Sequence, residues 1–237
     1  MEQLQPGDLI NRRYRIESQS AARANAYLAT DLRSGRTVNL TFVPLDEARL
    51  KQTARLRELK HHHILPLLTL ETYEDSLCVV ELPVEGPTLQ QRLEAAEIFS
   101  ISEIMELGLA LARALEYVHS RDIVHGALHP QQILFTSTGI KVRGFGGQPE
   151  EPTYLAPEQQ LQDARPTPGA DLYTLGAILY QLLTGQLPQI TEAGGLLPPR
   201  ELNLQLSQMQ EHLVLKLLAT PPTARYASAQ QVRRIIS

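Results

Sequence analysis

The sequence is poor in several residue types, and each shortage excludes a class of protein. Its 237 residues include no tryptophan, one cysteine and only 5% aromatic residues. The single cysteine, Cys78, cannot form an internal disulfide, which excludes a disulfide scaffold and favours a reducing compartment. The net charge of −4 lacks the basic excess that nucleic acid binding requires. Three charged residues interrupt the most apolar stretch, residues 104–118, which predicts a buried helix rather than a membrane span.

Lysine is also scarce. Only four of the 22 basic residues are lysines, and none of them lies in the first fifty residues. They are Lys51, Lys60, Lys141 and Lys216. The remaining composition, 43% hydrophobic and 20% charged, is that of a folded globular chain and excludes disordered and collagen-like classes.

The hydrophobic pattern changes along the chain, from strand-like to helical. Runs of β-forming residues predict five strands before residue 83 and one helix over about 47–60. The strand runs are 14–16, 26–29, 37–43, 63–70 and 77–82. Helices are predicted over 101–118, 170–184, 208–218 and 228–236, with short strands at 133–135 and 140–142. Ser100 and Glu103 are spaced as a capping box, and Gly185 is typical of a helix stop.

Four motifs, in order, carry a family resemblance. Arg13-Tyr14-Arg15-Ile16 follows a short opening segment, and Tyr154-Leu155-Ala156-Pro157-Glu158 lies in the middle of the chain. Asp171-Leu172-Tyr173-Thr174-Leu175-Gly176 then leads to Leu182-Leu183-Thr184-Gly185. Over essentially its whole length, the chain resembles a bacterial Hanks-type Ser/Thr protein kinase domain. The resemblance implies an α+β, protein-kinase-like bilobal fold. It comprises a β-rich N-lobe over 1–83 and a mostly helical C-lobe over 84–237, together forming one kinase-like domain.

The resemblance also gives the expected positions of the ATP-binding groups in the N-lobe. The three glycine-loop positions hold Gln19, Ala21 and Ala24, whose side chains obstruct close approach of the backbone to phosphates. The phosphate-binding lysine position holds Thr41, and its helix glutamate position holds Gln52. No lysine before Lys51 is available as a substitute. Arg23 or Arg36 is the alternative cation, although a turn arginine is more often a solvated surface residue.

The catalytic loop departs from the family pattern in the same way. The base position holds Ala127, whose methyl group accepts no proton, and the loop-lysine position holds His129. The two metal-binding positions hold Gln132 and Gly144, although magnesium prefers oxygen ligands that include a carboxylate. Glu150 and Glu151 follow closely, either as substitute carboxylates or as a solvated acidic turn.

Other positions match the family's structural framework or its hinge. Leu56, His125 and Phe145 resemble the hydrophobic spine of the fold. Glu158, Asp171 and Arg225 resemble the large-lobe scaffold, in which Arg225 pairs with Glu158. At the hinge, Glu81 is followed by Pro83, which has no N–H for adenine, so Val84 is the alternative donor.

Three local features have simpler interpretations. His61-His62-His63 lacks Cys, Asp or Glu at metal-ligand spacing, which favours a structural role. Cys78 lies in an apolar strand and is predicted to be buried and inert. The loop around Gly194 and Gly195, with Leu196 and Leu197, is either a partner surface or a loop that packs on the helices.

From these observations the sequence predicts a pseudokinase that is not an enzyme and that holds no cofactor or metal. It is expected to be a cytoplasmic protein-interaction scaffold or allosteric regulator in signalling, with an active kinase or another signalling protein as its partner. Nucleic acid is not expected as a partner. The alternative is a sensor that binds a nucleotide or small ligand in the degenerate cleft without phosphotransfer. A third interpretation, a divergent enzyme, has no nucleophile–base constellation to support it.

Overall fold

A computed structural model describes residues 3–20, 25–45, 55–145, 152–161, 164–189 and 195–237. The chain divides into two compact units, Met1–Glu85 and Gly86–Ser237. The first unit is rich in β-strands and the second is mostly helical, as predicted for the two lobes. The predicted lobe boundary between residues 83 and 84 stays a prediction.

The first unit is built on a six-stranded antiparallel sheet in the order β1-β2-β3-β4-β6-β5. The strands are β1 (Leu9–Ile10), β2 (Tyr14–Gln19), β3 (Ala26–Asp31), β4 (Arg36–Pro44), β5 (Leu67–Tyr73) and β6 (Ser76–Glu81). Tyr14 and Ile16 of β2 are buried and Arg15 between them is exposed, because one face of the sheet covers a core that also includes Leu40 and Val80. Of the helix predicted over 47–60, residues 55–57 are helical, and residues 46–54 lie outside the described part.

One strand prediction is wrong in position. The run over 63–70 predicted a strand, whereas β5 spans Leu67–Tyr73. The preceding residues form a turn, in which the Ile64 N–H donates to the carbonyl of His61 at 3.0 Å. Pro66 then removes a ladder donor, so pairing begins only after it.

Arg13 fastens the β1–β2 turn to two other strands. Its guanidinium donates two hydrogen bonds to Asp31 at the end of β3, both at 3.0 Å, and one to Glu71 of β5 at 2.8 Å. Glu71 also accepts hydrogen bonds from the Tyr14 hydroxyl at 2.9 Å and from the Asn11 amide at 3.2 Å. These hydrogen bonds with Arg13 hold the pKa of the Asp31 carboxyl well below its usual range. These hydrogen bonds join the β1–β2 end of the sheet to β5 at its other end, so the sheet is curled.

The second unit is mostly helical. Its helices are α1 (Leu89–Glu94), α2 (Ile101–His119), α3 (Pro168–Thr184), α4 (Pro199–Leu202), α5 (Gln208–Leu217) and α6 (Ala229–Ile236). A hairpin pairs β7 (Ile133–Thr136) with β8 (Gly139–Val142). Short 3-10 helices span Pro130–Gln132, Pro152–Tyr154, Pro157–Gln160 and Pro222–Ala224. In the described part of the chain, no helix combines the length and apolar character needed to cross a bilayer.

Local sequence signals fix several helix ends. The predicted capping box at Ser100 and Glu103 is confirmed, since each side chain bonds to the other residue's backbone N–H. Gly185 ends α3 with φ of +75°, in the left-handed region that glycine adopts without strain, which confirms the predicted stop. The resulting helix α3 is almost wholly buried and packs against α2 and α5. It is the framework on which the candidate site is placed.

The close packing of α3 on α5 predicts a large effect for one small substitution. A Cβ atom at Gly176 would lie 2.6 Å from the Cβ of Leu217, closer than two carbon atoms approach without displacement. We expect Gly176→Ala to lower the free energy of unfolding by about 2 kcal/mol through overpacking. The matched control is Gly169→Ala in the first turn of the same helix, where the nearest atom lies 3.8 Å away. Urea unfolding followed by circular dichroism makes the comparison, and equal midpoints for the two variants would contradict the prediction.

Candidate functional site

The catalytic-loop segment of the second unit is held by a single buried carboxylate. Asp171, in the first turn of α3, is 2% exposed. Its two oxygens accept hydrogen bonds from the backbone N–H of His125 at 2.9 Å and of Gly126 at 2.8 Å. A third comes from Nε2 of His119, at the end of α2, at 2.8 Å. Three donors compensate the burial of the charge, so the loop backbone has one defined position.

His125 is fully buried beneath this loop. Its Nε2 donates to the carbonyl of Arg143 at 3.0 Å, and its ring lies 4.6 Å from the ring of Phe145. Burial lowers the pKa of His125, which favours the neutral imidazole with its proton on Nε2. The structure thus brings together two of the three predicted spine residues, and the third, Leu56, is buried in the first unit. Both contacts at His125 are packing and hydrogen bonding rather than chemistry at a substrate.

The next two predicted positions differ in what they offer. Ala127 is buried and presents only a methyl group. His129 is half-buried, and its Nδ1 accepts a hydrogen bond from the N–H of Gln131 at 3.2 Å. The ring of Tyr154 meets the His129 ring edge-on, 4.9 Å away at 85°. His129 therefore begins the short helix Pro130–Gln132 and contacts the segment that follows Pro152.

The side chain of Gln132 fills the space that a side chain at position 144 would take. A Cβ at Gly144 would lie 2.7 Å from Oε1 of Gln132, so the amide group lies where a side chain at position 144 would begin. Gln132 is buried, and its Oε1 has no hydrogen-bond partner among the described residues. Magnesium needs octahedral oxygen ligands, usually with a carboxylate, and this pair offers one neutral amide oxygen. The two positions do not fit a magnesium ion.

This shared volume predicts coupling between the two residues. Gly144→Ala should lower the free energy of unfolding by about 2 kcal/mol, because its φ of +82° strains any side chain and the new methyl group meets the amide. Gly185→Ala is the control for strain alone, since its φ is +75° and no atom lies within 4 Å of the new Cβ. In the double variant Gln132→Ala/Gly144→Ala, the loss in free energy of unfolding should be about 1 kcal/mol smaller than the sum of the losses in the two single variants. Additive effects in chemical denaturation would contradict the coupling.

The Glu158–Arg225 pair supports the segment that leads into α3. Arg225 donates to the two carboxylate oxygens of Glu158 at 2.5 and 2.8 Å, and to the carbonyl oxygens of Gly169 and Ala219, both at 2.9 Å. Its guanidinium also lies 4.9 Å from the ring centre of Tyr173. In the described part of the second unit, the Asp171 carboxylate accepts three hydrogen bonds and the Arg225 guanidinium donates four.

Sequence reasoning missed Gln159 as a site residue. Its Nε2 donates to the carbonyl of Gly126 at 3.1 Å, and its Oε1 accepts the N–H of Ala156 at 3.3 Å. It therefore ties the Ala156 segment to the catalytic loop. The only signal was a glutamine three residues after Ala156, a spacing that allows a side chain to reach back to a backbone N–H.

The predicted positions of the first unit are described by themselves. Gln19 ends β2 and its Oε1 accepts a hydrogen bond from Gln3 at 2.9 Å, while Thr41 is buried in β4 opposite Ala26 and Val79. Glu81 is buried at the end of β6. The remaining hinge positions, Pro83 and Val84, are exposed and half-buried respectively. Ala21, Arg23, Ala24, Gln52, Glu150, Glu151 and Gly194 lie outside the described residues.

Three local predictions now have structural outcomes. Cys78 is fully buried, as predicted, and burial raises the pKa of its thiol to about 12, which disfavours the reactive thiolate. The ring of His63 lies 5.6 Å from the ring of His61 and 4.8 Å from that of His62, and within the described ranges no three His, Cys, Asp or Glu side chains form a metal-binding group. Leu196 and Leu197 are half-buried, and the Tyr180 hydroxyl donates to the carbonyl of Leu197 at 3.0 Å, which favours a packed loop.

Comparison with known proteins decides the family. The family model for the protein kinase domain matches residues 24–234, most of the chain. The chain belongs to the protein kinase family. It is 28% identical over 261 residues to the serine/threonine-protein kinase PrkC of Bacillus subtilis, covering 95% of this chain and 40% of that protein. It is 27% identical over 265 residues to the probable serine/threonine-protein kinase PknB of Lactococcus lactis, covering 97% and 42%.

Solved kinase structures have the same fold. The kinase domain of PknI from Mycobacterium tuberculosis superposes on this chain with a TM-score of 0.81 at 22% identity, covering 98% of each chain. At that identity the likeness establishes the fold of this kinase domain. Because the chain spans about two fifths of the length of PrkC and PknB, the activity, substrates and partners of the whole protein are matters for proposal.

The prediction that the chain is not an enzyme is wrong by these comparisons. Its relatives are named serine/threonine-protein kinases, which points to an enzyme. The prediction treated the replacement of single side chains as loss of the reaction. Phosphoryl transfer depends mainly on positioning and charge neutralisation, which are properties of the whole site rather than of single side chains.

Proposed function

We propose that this kinase domain acts in signalling by binding another protein, as a scaffold or an allosteric regulator, with an active kinase as the first partner to test. The observation that carries the proposal is the contrast within the second unit. Asp171 accepts three hydrogen bonds and Arg225 donates four, whereas Ala127, Gln132 and Gly144 present no carboxylate at the positions matched to catalysis. A framework with fixed loops is suited to recognition by a partner surface, because little ordering entropy is lost on binding.

The proposal places the domain in the cytoplasm. A free, buried Cys78 agrees with a reducing compartment. The net charge of −4 argues against nucleic acid as the partner.

The second candidate function is that of a nucleotide or small-ligand sensor. It is favoured by Oε1 of Gln132, a buried acceptor without a hydrogen-bond partner among the described residues. Such an atom is costly unless an external donor reaches it, and an N–H or O–H group of a ligand is one such donor. A ligand at about 100 times its dissociation constant stabilises the folded state by about 2.7 kcal/mol. A thermal-shift titration with ATP, in the presence and absence of magnesium, therefore tests this candidate.

The protein-binding proposal is tested with an active Ser/Thr kinase catalytic domain from the same organism. Sedimentation velocity of the mixture should show a complex, and the kinase's rate on a peptide substrate should change and saturate as this chain is added. Phosphate transfer by this chain alone is measured in parallel and subtracted. The absence of a complex, together with an unchanged rate for the partner kinase, would overturn the proposal.

A further inference from the structure

Four residues of the first unit form an exposed surface that we call the arginine edge: Arg12, Leu32, Arg33 and Arg36. All four are exposed, and Leu32 is 48% exposed despite its apolar side chain. Arg12 lies in the β1–β2 turn, and the other three lie in or beside the β3–β4 turn. We infer that the arginine edge binds an acidic segment of a partner protein. This inference rests on the proposed function and specifies the partner's chemistry.

The backbone brings the two turns together. The N–H of Leu32 donates to the carbonyl of Arg13 at 2.8 Å, which joins the β3–β4 turn to the residue after Arg12. Asp31 is paired in register with Tyr14 on one side and with Arg36 on the other. The three exposed arginines are therefore neighbours in space although 24 positions separate the first from the last.

The carboxylates nearest to these arginines are already engaged. Asp31 accepts two hydrogen bonds from Arg13, one from the Ser34 hydroxyl and one from the backbone N–H of Arg33. Glu71 accepts from Arg13, Tyr14 and Asn11. Within the described part of the chain, the side chains of Arg12, Arg33 and Arg36 form no hydrogen bond or ion pair. Their guanidinium groups keep all their donors for an external acceptor.

Backbone strain at Arg12 is a second, independent observation. Asn11 and Arg12 have φ values of 52° and 53°, and the N–H of Arg13 donates to the carbonyl of Ile10 at 2.9 Å, so they are the two central residues of a β-turn in the left-handed conformation. Asparagine tolerates that conformation, but the second position is usually glycine, which adopts it without strain. An arginine here is held in a strained backbone at the tip of a turn, and such outliers are frequent at binding sites.

The chemistry of the surface selects the partner. A guanidinium group forms two parallel hydrogen bonds to a carboxylate or a phosphate, and both groups occur on acidic or phosphorylated protein segments. Leu32, between the arginines, adds an apolar contact that a protein segment supplies. Three arginines in a chain of net charge −4 are too few to hold a nucleic acid backbone. A protein segment is therefore favoured over nucleic acid or an anionic membrane.

The test is a fluorescence-anisotropy titration of the whole chain with three labelled peptides: hexaglutamate, a phosphoserine peptide and hexaglutamine. The first two separate carboxylate from phosphate as the preferred anion, and the third should not bind. In Arg12→Glu/Arg33→Glu/Arg36→Glu the dissociation constant for the bound anionic peptide should rise about tenfold or more. Raising sodium chloride from about 50 to about 500 mM should weaken wild-type binding about fivefold.

The matched control is Arg55→Glu/Arg57→Glu/Arg234→Glu, which changes three other exposed arginines and shifts net charge equally. The dissociation constant of the anionic peptide for this control should stay within about twofold of the wild-type value, because only the long-range effect of net charge changes. A milder variant, Arg12→Gln/Arg33→Gln/Arg36→Gln, keeps the test valid if charge reversal unfolds the chain. Arg12→Gly adds a separate readout: it should raise the melting temperature by relieving strain while it weakens peptide binding.

Several results would overturn the inference. They are equal losses in the two charge-reversed triple variants, no binding of either anionic peptide, and binding of phosphatidylserine vesicles or duplex DNA in place of peptide. Self-association that only the arginine-edge variant abolishes would assign the surface to a second copy instead. If the complex with the partner kinase forms and survives in the arginine-edge variant, the inference fails and the proposed function stands. If no kinase complex forms while the anionic peptides bind, the proposed function fails and the inference about the arginine edge stands.

Discussion

Asp171→Asn is expected to lower the free energy of unfolding of the second unit by about 3 kcal/mol or more, because a buried carboxylate with charge-assisted hydrogen bonds is replaced by a neutral amide. The carboxylate accepts hydrogen bonds from two backbone N–H groups and from His119. An asparagine keeps one acceptor oxygen and directs an NH₂ group at the remaining donors. At least one buried N–H is then left without an acceptor.

This effect is measurable by heat and by denaturant. For a unit of this size, about 3 kcal/mol corresponds to a fall in melting temperature of about 6–12 °C. The matched control is Asp122→Asn in the same loop region. Asp122 is exposed and has φ of 55°, which asparagine tolerates, so its melting temperature should be close to that of wild type. Equal melting temperatures for Asp171→Asn and wild type would show that the loop does not depend on this carboxylate.

A second variant keeps the test usable if Asp171→Asn does not fold. His119→Leu removes one of the three donors and leaves the two backbone hydrogen bonds in place. This variant should lower the free energy of unfolding by about 1 kcal/mol, the usual net contribution of one hydrogen bond. A loss as large as that of Asp171→Asn would assign the stabilisation to the histidine instead.

The fold and the framework were predictable because their signals are local or occur as ordered motifs. Ser100 and Glu103 lie three residues apart, so a capping box can be recognised in the sequence. Gly185 indicates a helix end because glycine adopts the left-handed conformation without strain. The kinase motifs beginning at Tyr154 and Asp171 gave the family resemblance, which the family model then established.

The packing of the candidate site was not predictable from the same signals. Gln132 and Gly144 lie 12 positions apart on the two sides of a hairpin, and only the folded backbone shows that the amide fills the space of the missing side chain. Gln159 reaches Gly126 across 33 positions for the same reason. The start of β5 was misplaced because hydrophobic content outweighed Pro66, whose missing N–H prevents ladder pairing.

The functional prediction failed at a different step. The residue types at Thr41, Ala127 and Gly144 describe what single side chains offer, whereas activity is a property of the whole site. The relatives' names point to an enzyme, and the sequence had predicted none. The residues nonetheless define which side chains of this chain a mechanism cannot use as acids, bases or metal ligands: a methyl group at 127 and a hydrogen at 144 have no such capacity.

Arg225→Leu is expected to lower the free energy of unfolding by about 3–5 kcal/mol. This is the range measured when one partner of a buried ion pair is removed. The Arg225 side chain is fully buried, and Glu158 is 24% exposed. Removal of the guanidinium leaves Glu158 with no cation and the carbonyl oxygens of Gly169 and Ala219 without this donor. Arg225→Lys should recover only part of the loss, since an ammonium group cannot reproduce the planar fork.

The pH dependence of stability separates the ion pair from simple packing. Burial raises the pKa of Glu158, while the hydrogen bonds from Arg225 and the backbone outweigh it, so the net pKa lies below its ordinary value of 4.5. A carboxyl with a lowered pKa in the folded state contributes stability that is present above its unfolded value and is lost as the pH falls. Wild type should therefore lose stability on acidification below about pH 4.5 more steeply than Arg225→Leu does.

Two further variants complete this experiment. Arg233→Leu is the control, because its pair with Glu116 is 31% and 27% exposed and such surface pairs contribute about 1 kcal/mol or less. In the double variant Arg225→Leu/Glu158→Gln no charge remains buried without a partner, so it should be more stable than additivity predicts. Urea unfolding at pH 7 and pH 4 measures all four proteins. If Arg225→Leu and Arg233→Leu unfold at equal urea concentrations, the Glu158–Arg225 pair contributes no more to stability than an exposed pair.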